Sequence, residues 1–182
     1  DTTATSASVG ILANKGSATN KGNIEMNGGA SAGMLGLDGA TISNDAATGK
    51  ITITGDKSAG IYVENSSPSN AGTISVESNK SAGIFAKISD AASRTITNTG
   101  KIELKGTGKT KSAGMYVEIE STAAGTTTLQ NEKDIIVGQE ESAAMYLKNN
   151  AGEGAGTVIN ETPNGKIDLD VKSTVGIFVD KA

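Results

Sequence analysis

The chain has 182 residues and a formal net charge of −4, with 24 Gly, two Pro, three Tyr, two Phe, and no Trp, Cys or His. Without Cys or His it lacks the usual nucleophile–base pairs and the commonest transition-metal ligands, and so few aromatic rings cannot fill the core of a compact globular domain. There is no basic stripe for nucleic acid and no apolar run of about 20 residues for a bilayer.

A six-residue phrase is repeated along the chain. It consists of Ser or Thr, Ala or Val, Gly (once Ala), Ile or Met, an aromatic residue or Leu, and a small or aliphatic residue. Its seven copies begin at Ser8, Ser31, Ser58, Ser81, Ser112, Ser142 and Thr174. Successive copies are 23, 27, 23, 31, 30 and 32 residues apart. Such periods are typical of single turns of a solenoid.

Two further units lie between these copies. The pattern Gly-x-Ile-x-aliphatic begins at Gly22, Gly49, Gly72, Gly100 and Gly165, with a degenerate copy at Lys133–Val137. A unit ending in Asn occurs in the longer turns, at Thr41–Asn44, Thr95–Asn98, Thr128–Asn131 and Thr157–Asn160, whereas the short turns keep only Asn20 and Asn70. Apolar and polar residues alternate in these units, which predicts short strands separated by Gly, Asn, Ser and Asp corners.

The sequence therefore predicts an all-β, right-handed parallel β-helix of about seven coils with three short strands per coil, formed by residues 1–182 as a single repeat segment. Length differences should lie at corners such as Glu64–Asn70, Ile119–Thr126 and Asn149–Gly156. Neither Asp1–Ala7 nor Asp180–Ala182 resembles a cap, so further coils are expected beyond both ends.

Aligned copies predict vertical columns of equivalent residues. Strict alternation puts three columns, whose members are all apolar or Gly, on the core face of the hexapeptide strand. The first contains Val9, Ala32, Ala59, Ala82, Ala113, Ala143 and Val175, and the second contains Ile11, Met34, Ile61, Ile84, Met115, Met145 and Ile177. The third contains Ala13, Gly36, Val63, Ala86, Val117, Leu147 and Val179. Ser, Gly and the aromatic position would then share the opposite face.

All aromatic residues of the chain occupy one column: Tyr62, Phe85, Tyr116, Tyr146 and Phe178. We predict that they form an outward ladder that could contact sugars or another protein. The alternative is that a bend at the neighbouring Gly turns this column inward as additional core. The Asn residues that end the third unit are expected to stack as an amide ladder that satisfies corner backbone groups.

Catalysis has little support in the sequence. The carboxylate pairs Glu140/Glu141, Glu118/Glu120 and Asp168/Asp170 could serve glycoside cleavage, but they are scattered, and the sole Arg, Arg94, lies at a corner. The segment Gly106–Thr110 lacks the upstream Gly of a phosphate-binding loop. We therefore predict no enzymatic activity, no cofactor and no metal.

The repeats resemble the passenger region of large Gram-negative autotransporter adhesins, especially those of oral anaerobes. The resemblance rests on Ser58–Tyr62 and Ser81–Phe85 alternating with Gly49–Ile53, and it extends over essentially the whole chain. It implies a β-helical stalk exported by type V secretion, with a membrane association only through a barrel that this segment does not contain.

These observations predict a non-catalytic adhesin segment at the cell surface or outer membrane, outside the cell. Its expected partners are a host or bacterial surface protein or glycan, with self-association possible. One alternative is a structural component of a self-assembling surface fibre. The other is a β-helix that processes polysaccharide.

Overall fold

A computed structural model describes residues 7–151, 155–161 and 163–181. In this part of the chain, 19 strands form three parallel sheets that wind as a right-handed parallel β-helix. The predicted fold class is confirmed. No helix in the described ranges has the length and apolar character needed to cross a bilayer.

The first strand of each turn carries the hexapeptide phrase, and these strands form what we term the hexapeptide sheet. Its strands are, in spatial order, β1 (Val9–Asn14), β4 (Ala32–Leu37), β7 (Ala59–Glu64), β10 (Ala82–Ile88), β13 (Ala113–Ile119), β16 (Ala143–Asn149) and β19 (Val175–Lys181). Matching positions pair in register, for example Ile61 with Ile84 and Tyr62 with Phe85. Each column of the sequence alignment is therefore a column in space.

The second and third strands of each turn form the asparagine sheet and the isoleucine sheet. The asparagine sheet contains β2 (Ser17–Asn20), β5 (Thr41–Asn44), β8 (Ser67–Asn70), β11 (Arg94–Asn98), β14 (Thr127–Asn131) and β17 (Gly156–Asn160). The isoleucine sheet contains β3 (Asn23–Met26), β6 (Lys50–Ile53), β9 (Thr73–Val76), β12 (Lys101–Leu104), β15 (Asp134–Val137) and β18 (Lys166–Leu169).

The prediction of three strands per coil is confirmed even in the short turns, whose sequence keeps only the final Asn of the third unit, because β2 and β8 are strands of the same length as β5. Their inward positions hold Ala18 and Pro68, which are weak strand signals. Pro68 is buried beside Ile42 and has no N–H to donate, and β8 pairs with β11 only through Ser69 and Asn70. Neighbouring turns thus impose the strand.

The predicted corner insertions have mixed outcomes. The segment Glu64–Asn70 is not an insertion, since it consists of a tight corner and β8. The corner within Ile119–Thr126 is long, as predicted, and it stacks on the corner of the previous turn, where the Thr122 hydroxyl donates to the Ser89 carbonyl at 2.9 Å. Of the corner Asn149–Gly156, residues 152–154 lie outside the described residues, as do residues 1–6 and 182 of the predicted uncapped ends.

The interior is a continuous stack of Ile, Val, Leu and Met side chains from all three sheets. Ile61, Ile84 and Met115 of the hexapeptide sheet are fully buried, as are Ile74 and Ile102 of the isoleucine sheet. Each such side chain contributes roughly 1.5–3 kcal/mol of transfer free energy. The second and third predicted core columns are therefore confirmed in the turns that have neighbours on both sides, where Val63, Ala86 and Val117 of the third column are also fully buried.

Candidate functional site

The hexapeptide strand does not alternate strictly, because its phase changes at the Gly. A Cβ atom added to Gly60 would lie 2.7 Å from the Cγ2 atom of Ile74, so this position faces the interior, as Ile61 does. In the sixth turn Ala144 occupies the same position and is part of the core. Two consecutive inward residues are possible only because the strand bends between them, and this bend shapes the outer face.

The bend corrects the first predicted core column. These Ala and Val residues are not part of the interior cluster, although most are buried. They face outward and line a groove together with the aromatic column: Val9, Ala32, Ala59, Ala82, Ala113, Ala143 and Val175. The prediction that the Gly positions share the outer face is wrong for the same reason. Strict alternation predicted that the Ala side chains face the core and that the Gly positions face outward. Because the strand bends, the Ala side chains face outward and the Gly positions face the core.

The aromatic column points outward and forms a continuous ladder, as the first of the two interpretations predicted. Its ring centroids are 5.1 Å apart for Tyr62 and Phe85, 4.9 Å for Phe85 and Tyr116, 4.9 Å for Tyr116 and Tyr146, and 5.1 Å for Tyr146 and Phe178. The first two turns have Leu12 and Leu35 at this position. The sequence could not reveal this orientation, because it depends on the bend.

Neighbouring rings of the ladder meet at different interplanar angles. Tyr62 and Phe85 are stacked with an interplanar angle of 10°, and Phe85 and Tyr116 meet edge to face at 62°. Tyr116 and Tyr146 also meet edge to face, at 71°, so stacking and edge contacts are both present along the ladder. This geometry favours contact with an apolar, well-packed surface.

The groove has a volume of about 1150 Å³ and crosses the strands of the hexapeptide sheet along the helix axis. Its floor consists of the Ala column and the Ser column, and the aromatic ladder forms one wall. A single row of residues that precede the Ser position forms the opposite wall, which we term the rim: Ala30, Lys57, Lys80, Lys111, Glu141 and Ser173. The lining is mostly apolar except at this rim.

All six rim residues have left-handed backbone conformations, with φ between 53° and 62°. Non-Gly residues adopt this region at a cost, so the surrounding bonds must hold it. The Lys57 amide donates to the Asn79 carbonyl of the next turn at 3.0 Å, and the Lys80 amide donates to the Thr110 carbonyl at 3.0 Å. No residue type at these positions signals a left-handed corner, which explains why sequence reasoning missed the rim.

The Ser column supports the floor through a regular hydrogen-bond ladder. The Ser31 amide donates to the Ser58 hydroxyl at 3.0 Å, and the Ser58 amide donates to the Ser81 hydroxyl at 3.1 Å. The Ser58 hydroxyl donates in turn to the Asp56 carbonyl at 3.3 Å. These hydroxyls are buried and satisfied by the protein, so their role is structural.

A second row of residues, all but one of them charged, lies beyond the aromatic ladder, two positions after each ring and after Leu35, and we term it the charge column. Its members are Leu37, Glu64, Lys87, Glu118, Lys148 and Asp180. Lys148 pairs with Glu118 at 2.7 Å, and the Tyr62 hydroxyl donates to Glu64 at 2.8 Å. Burial, then the bond to Glu64, raises the pKa of Tyr62 above its ordinary value.

The predicted amide ladder is confirmed by side-chain hydrogen bonds between consecutive turns. These run from Asn20 to Asn44 at 2.9 Å, Asn44 to Asn70 at 2.8 Å, Asn70 to Asn98 at 2.8 Å, Asn98 to Asn131 at 2.7 Å, and Asn131 to Asn160 at 2.8 Å. The ladder is buried except at its last member. Its donors and acceptors are occupied, so it supports the fold rather than a ligand.

The acidic residues considered for catalysis do not converge. Glu118 pairs with Lys148 at 2.7 Å, Glu120 with Lys87 at 3.1 Å, and Asp168 with Lys166 at 2.7 Å. Glu141 lies on the rim and pairs with Lys111 at 3.4 Å. Within the described ranges, no group of three or more Asp and Glu side chains has the geometry to hold a metal ion.

Arg94 pairs with the Asp90 carboxylate at the corner that precedes β11. Hydrogen bonds from Arg94 hold the pKa of Asp90 below its ordinary value. Both partners come from one corner, so the pair stabilises that corner locally and brings no second carboxylate to it.

The fold and the groove define a parallel β-helical domain with an extended lateral surface. Residues 46–182 match the model of the BigA third pectate lyase-like domain, and the chain belongs to this family of β-helix domains from a bacterial surface protein. No curated protein and no solved structure matches the chain.

Proposed function

We propose that this chain is a non-catalytic segment of a cell-surface adhesin, in which a β-helical stalk presents lateral surfaces and corner loops to a host or bacterial surface protein or glycan. The supporting observation is membership of a β-helix family of a bacterial surface protein, together with a core that runs continuously from the first turn to the sixth. The resemblance to autotransporter passengers adds type V export to the proposal.

The stalk role follows from the way in which turns are joined. Each of the first five turns shares three strand pairings, an Asn–Asn bond and a Ser bond with the next, so bending the rod would break several bonds at once. A rigid spacer is useful where a binding surface must be held away from a membrane.

The stacked corners between the hexapeptide and asparagine sheets are the loops best placed for attachment. They extend from the rod in consecutive turns and expose small side chains, including Ala92 and Ala124. Surface loops on a rigid scaffold commonly carry binding specificity.

Attachment can be measured with the purified chain immobilised on beads and offered to a panel of epithelial and bacterial cells. We expect saturable binding, with Ala124→Arg reducing it severalfold because the bulky cation disturbs the stacked corner surface. The matched control is Ala46→Arg, at an exposed corner of the second turn. Equal loss in both variants, or no binding by the parent chain, would contradict the attachment role.

The non-catalytic part of the proposal needs its own assay, because the family description includes the term pectate lyase-like. Incubation of the chain with pectate and with a glycan panel should release no products. If products appear and Glu140→Gln or Asp168→Asn abolishes them, the chain is a polysaccharide-processing β-helix.

A further inference from the structure

The two sides of the groove carry matched side chains. In each turn the charge-column residue follows the rim residue by seven positions, and the floor and the aromatic ladder lie between them. The resulting pairs are Ala30/Leu37, Lys57/Glu64, Lys80/Lys87, Lys111/Glu118, Glu141/Lys148 and Ser173/Asp180. Seven residues of strand span roughly 20 Å, so the members of a pair are too far apart to contact each other within one chain.

We propose that the groove binds the aromatic ladder of a second copy of this chain, with the two rods parallel and in register. This interaction surface lies on the hexapeptide sheet, apart from the corner loops at which the attachment function is tested, so failure of one does not imply failure of the other.

A two-fold axis parallel to the rods produces this arrangement. Rotation about such an axis reverses the order of columns across the sheet and leaves every turn at the same height. The ladder of each copy then faces the alanine floor of its partner, and each rim faces the charge column of the same turn. An axis along the strands would instead place ladder against ladder and leave both grooves unfilled, so only the parallel arrangement is self-complementary.

The charges agree with this register. Lys57 would face Glu64 of the partner, and Lys111 would face Glu118. In the sixth turn both signs are exchanged, so that Glu141 would face Lys148. Within one chain Glu141 already pairs with Lys111 and Lys148 with Glu118. In the proposed register these two pairs would face each other with opposite charges opposed, which makes the two columns electrostatically complementary.

Registers shifted by one turn are disfavoured. With a shift toward later turns, three pairs would be repulsive, namely Lys57 with Lys87, Lys111 with Lys148 and Glu141 with Asp180, against one attractive pair, Lys80 with Glu118. With the opposite shift, Lys111 would face Lys87 and Glu141 would face Glu118, against one attractive pair, Lys80 with Glu64. Charge therefore selects the in-register alignment, although the apolar groove and ladder are nearly uniform along the rod.

One turn departs from the pattern, because Lys80 would face Lys87. In the described part of the chain, neither Lys57 nor Lys80 has a carboxylate partner within 4.0 Å. Both side chains are exposed on the same rim, one turn apart. The same substitution, Lys to Glu, is therefore expected to weaken the dimer at position 57 and to strengthen it at position 80.

The first test measures self-association of the full chain by sedimentation equilibrium at low salt. We expect a reversible dimer. Lys57→Glu should raise its dissociation constant about tenfold, because Glu would face Glu64, whereas Lys80→Glu should lower it about tenfold, because Glu would face Lys87. Adding Glu64→Lys to Lys57→Glu should restore the parent value. Circular dichroism and melting temperature confirm that each variant is folded.

The second test determines orientation with spin labels on Lys21→Cys and Lys172→Cys, at exposed sites near opposite ends of the rod. Parallel rods place like labels at the same height along the axis at both ends, whereas antiparallel rods place position 21 of one copy at the height of position 172 of the other. The two arrangements therefore give different sets of label distances. A chain that stays monomeric, an antiparallel dimer, or effects of the same sign for Lys57→Glu and Lys80→Glu would each overturn the proposal.

Discussion

Two ladders run along this rod with one side chain per turn, and they differ in how strictly their composition is maintained. The asparagine ladder uses the same residue in six consecutive turns, whereas the aromatic ladder contains Tyr and Phe and gives way to Leu12 and Leu35 in the first turns. The first ladder is buried and hydrogen bonded, and the second is half-exposed and joined by ring contacts. The need to satisfy buried hydrogen-bonding groups therefore restricts which residue can occupy a ladder position more strongly than packing does.

The physical reason is the cost of an unsatisfied buried group. Asn98 accepts from Asn70 and donates both to Asn131 and to the Gly100 carbonyl. No other side chain of similar size presents a donor and an acceptor in that arrangement. An aromatic ring in the outer ladder can be replaced by Leu without leaving a polar group unpaired.

The largest expected effect is the difference in stability between an Asp substitution at an inward position of the hexapeptide strand and one at the neighbouring outward position. Ile84→Asp should cost at least about 5 kcal/mol and prevent stable folding, because it buries a carboxylate in the core. Phe85→Asp, one residue later on the outer face, should leave a folded chain. Circular dichroism and thermal melting measure both. An unchanged melting temperature for Ile84→Asp would mean that the faces are assigned wrongly.

The next effect concerns the asparagine ladder. Asn98→Leu should lower the free energy of unfolding by about 3 kcal/mol, because Asn70 and Asn131 each lose a buried hydrogen-bond partner. Denaturant unfolding measures the change. Asn23→Leu, at an exposed position of β3, is the control and should change stability little. Similar losses in both variants would remove the distinction between the two ladders.

A smaller effect is expected at high pH. Burial raises the pKa of Tyr62, Tyr116 and Tyr146 in the folded chain. A raised folded pKa means that the stabilisation is complete below the ordinary tyrosine pKa of about 10 and is lost as the pH rises above it toward the folded value. The free energy of unfolding should therefore fall above about pH 10.

The variant Tyr62→Phe removes one ionisable phenol and so isolates its contribution to the pH dependence of stability. Its stability should decline less steeply with pH than that of the parent, since one of the three phenols no longer ionises in the unfolded state. Comparing the two chains cancels the titration of lysines in the same range. Parallel curves for parent and variant would contradict the burial of the Tyr62 hydroxyl.

The smallest effect extends the aromatic ladder. Leu35→Tyr places a ring beside Tyr62 and should stabilise the chain by about 0.5–1 kcal/mol through one additional aromatic pair. Leu12→Tyr, which has only Leu35 as its neighbour on the ladder, should gain less. Thermal melting of the two variants measures the difference. Equal gains in both variants would indicate that the ladder is stabilised by buried apolar surface area rather than by contacts between rings.

Much of the fold was predictable because the repeat period constrains it. Equivalent residues such as Asn70 and Asn98 must meet if consecutive turns stack, and the structure pairs them directly. Strands β2 and β8 could not be predicted in the same way. Their residues have little strand preference, and the neighbouring turns hold them extended.

The candidate site was predictable only in part. The sequence placed all aromatic residues in one column, which the structure shows as a ladder. It did not predict the alanine floor, because that depends on the bend at residues such as Gly60. It did not predict the rim either, because Lys57 and Lys80 adopt a backbone conformation that their residue types disfavour.

The sequence by itself determined the period, the number of turns, the parallel columns and the amide ladder, because a recurring pattern specifies which residues lie above one another. The tertiary structure alone decided which columns face out. That choice depends on a bend that brings Gly60 and Ile61 inward together, and such a bend is stabilised by stacked neighbours in other turns rather than by the local residues.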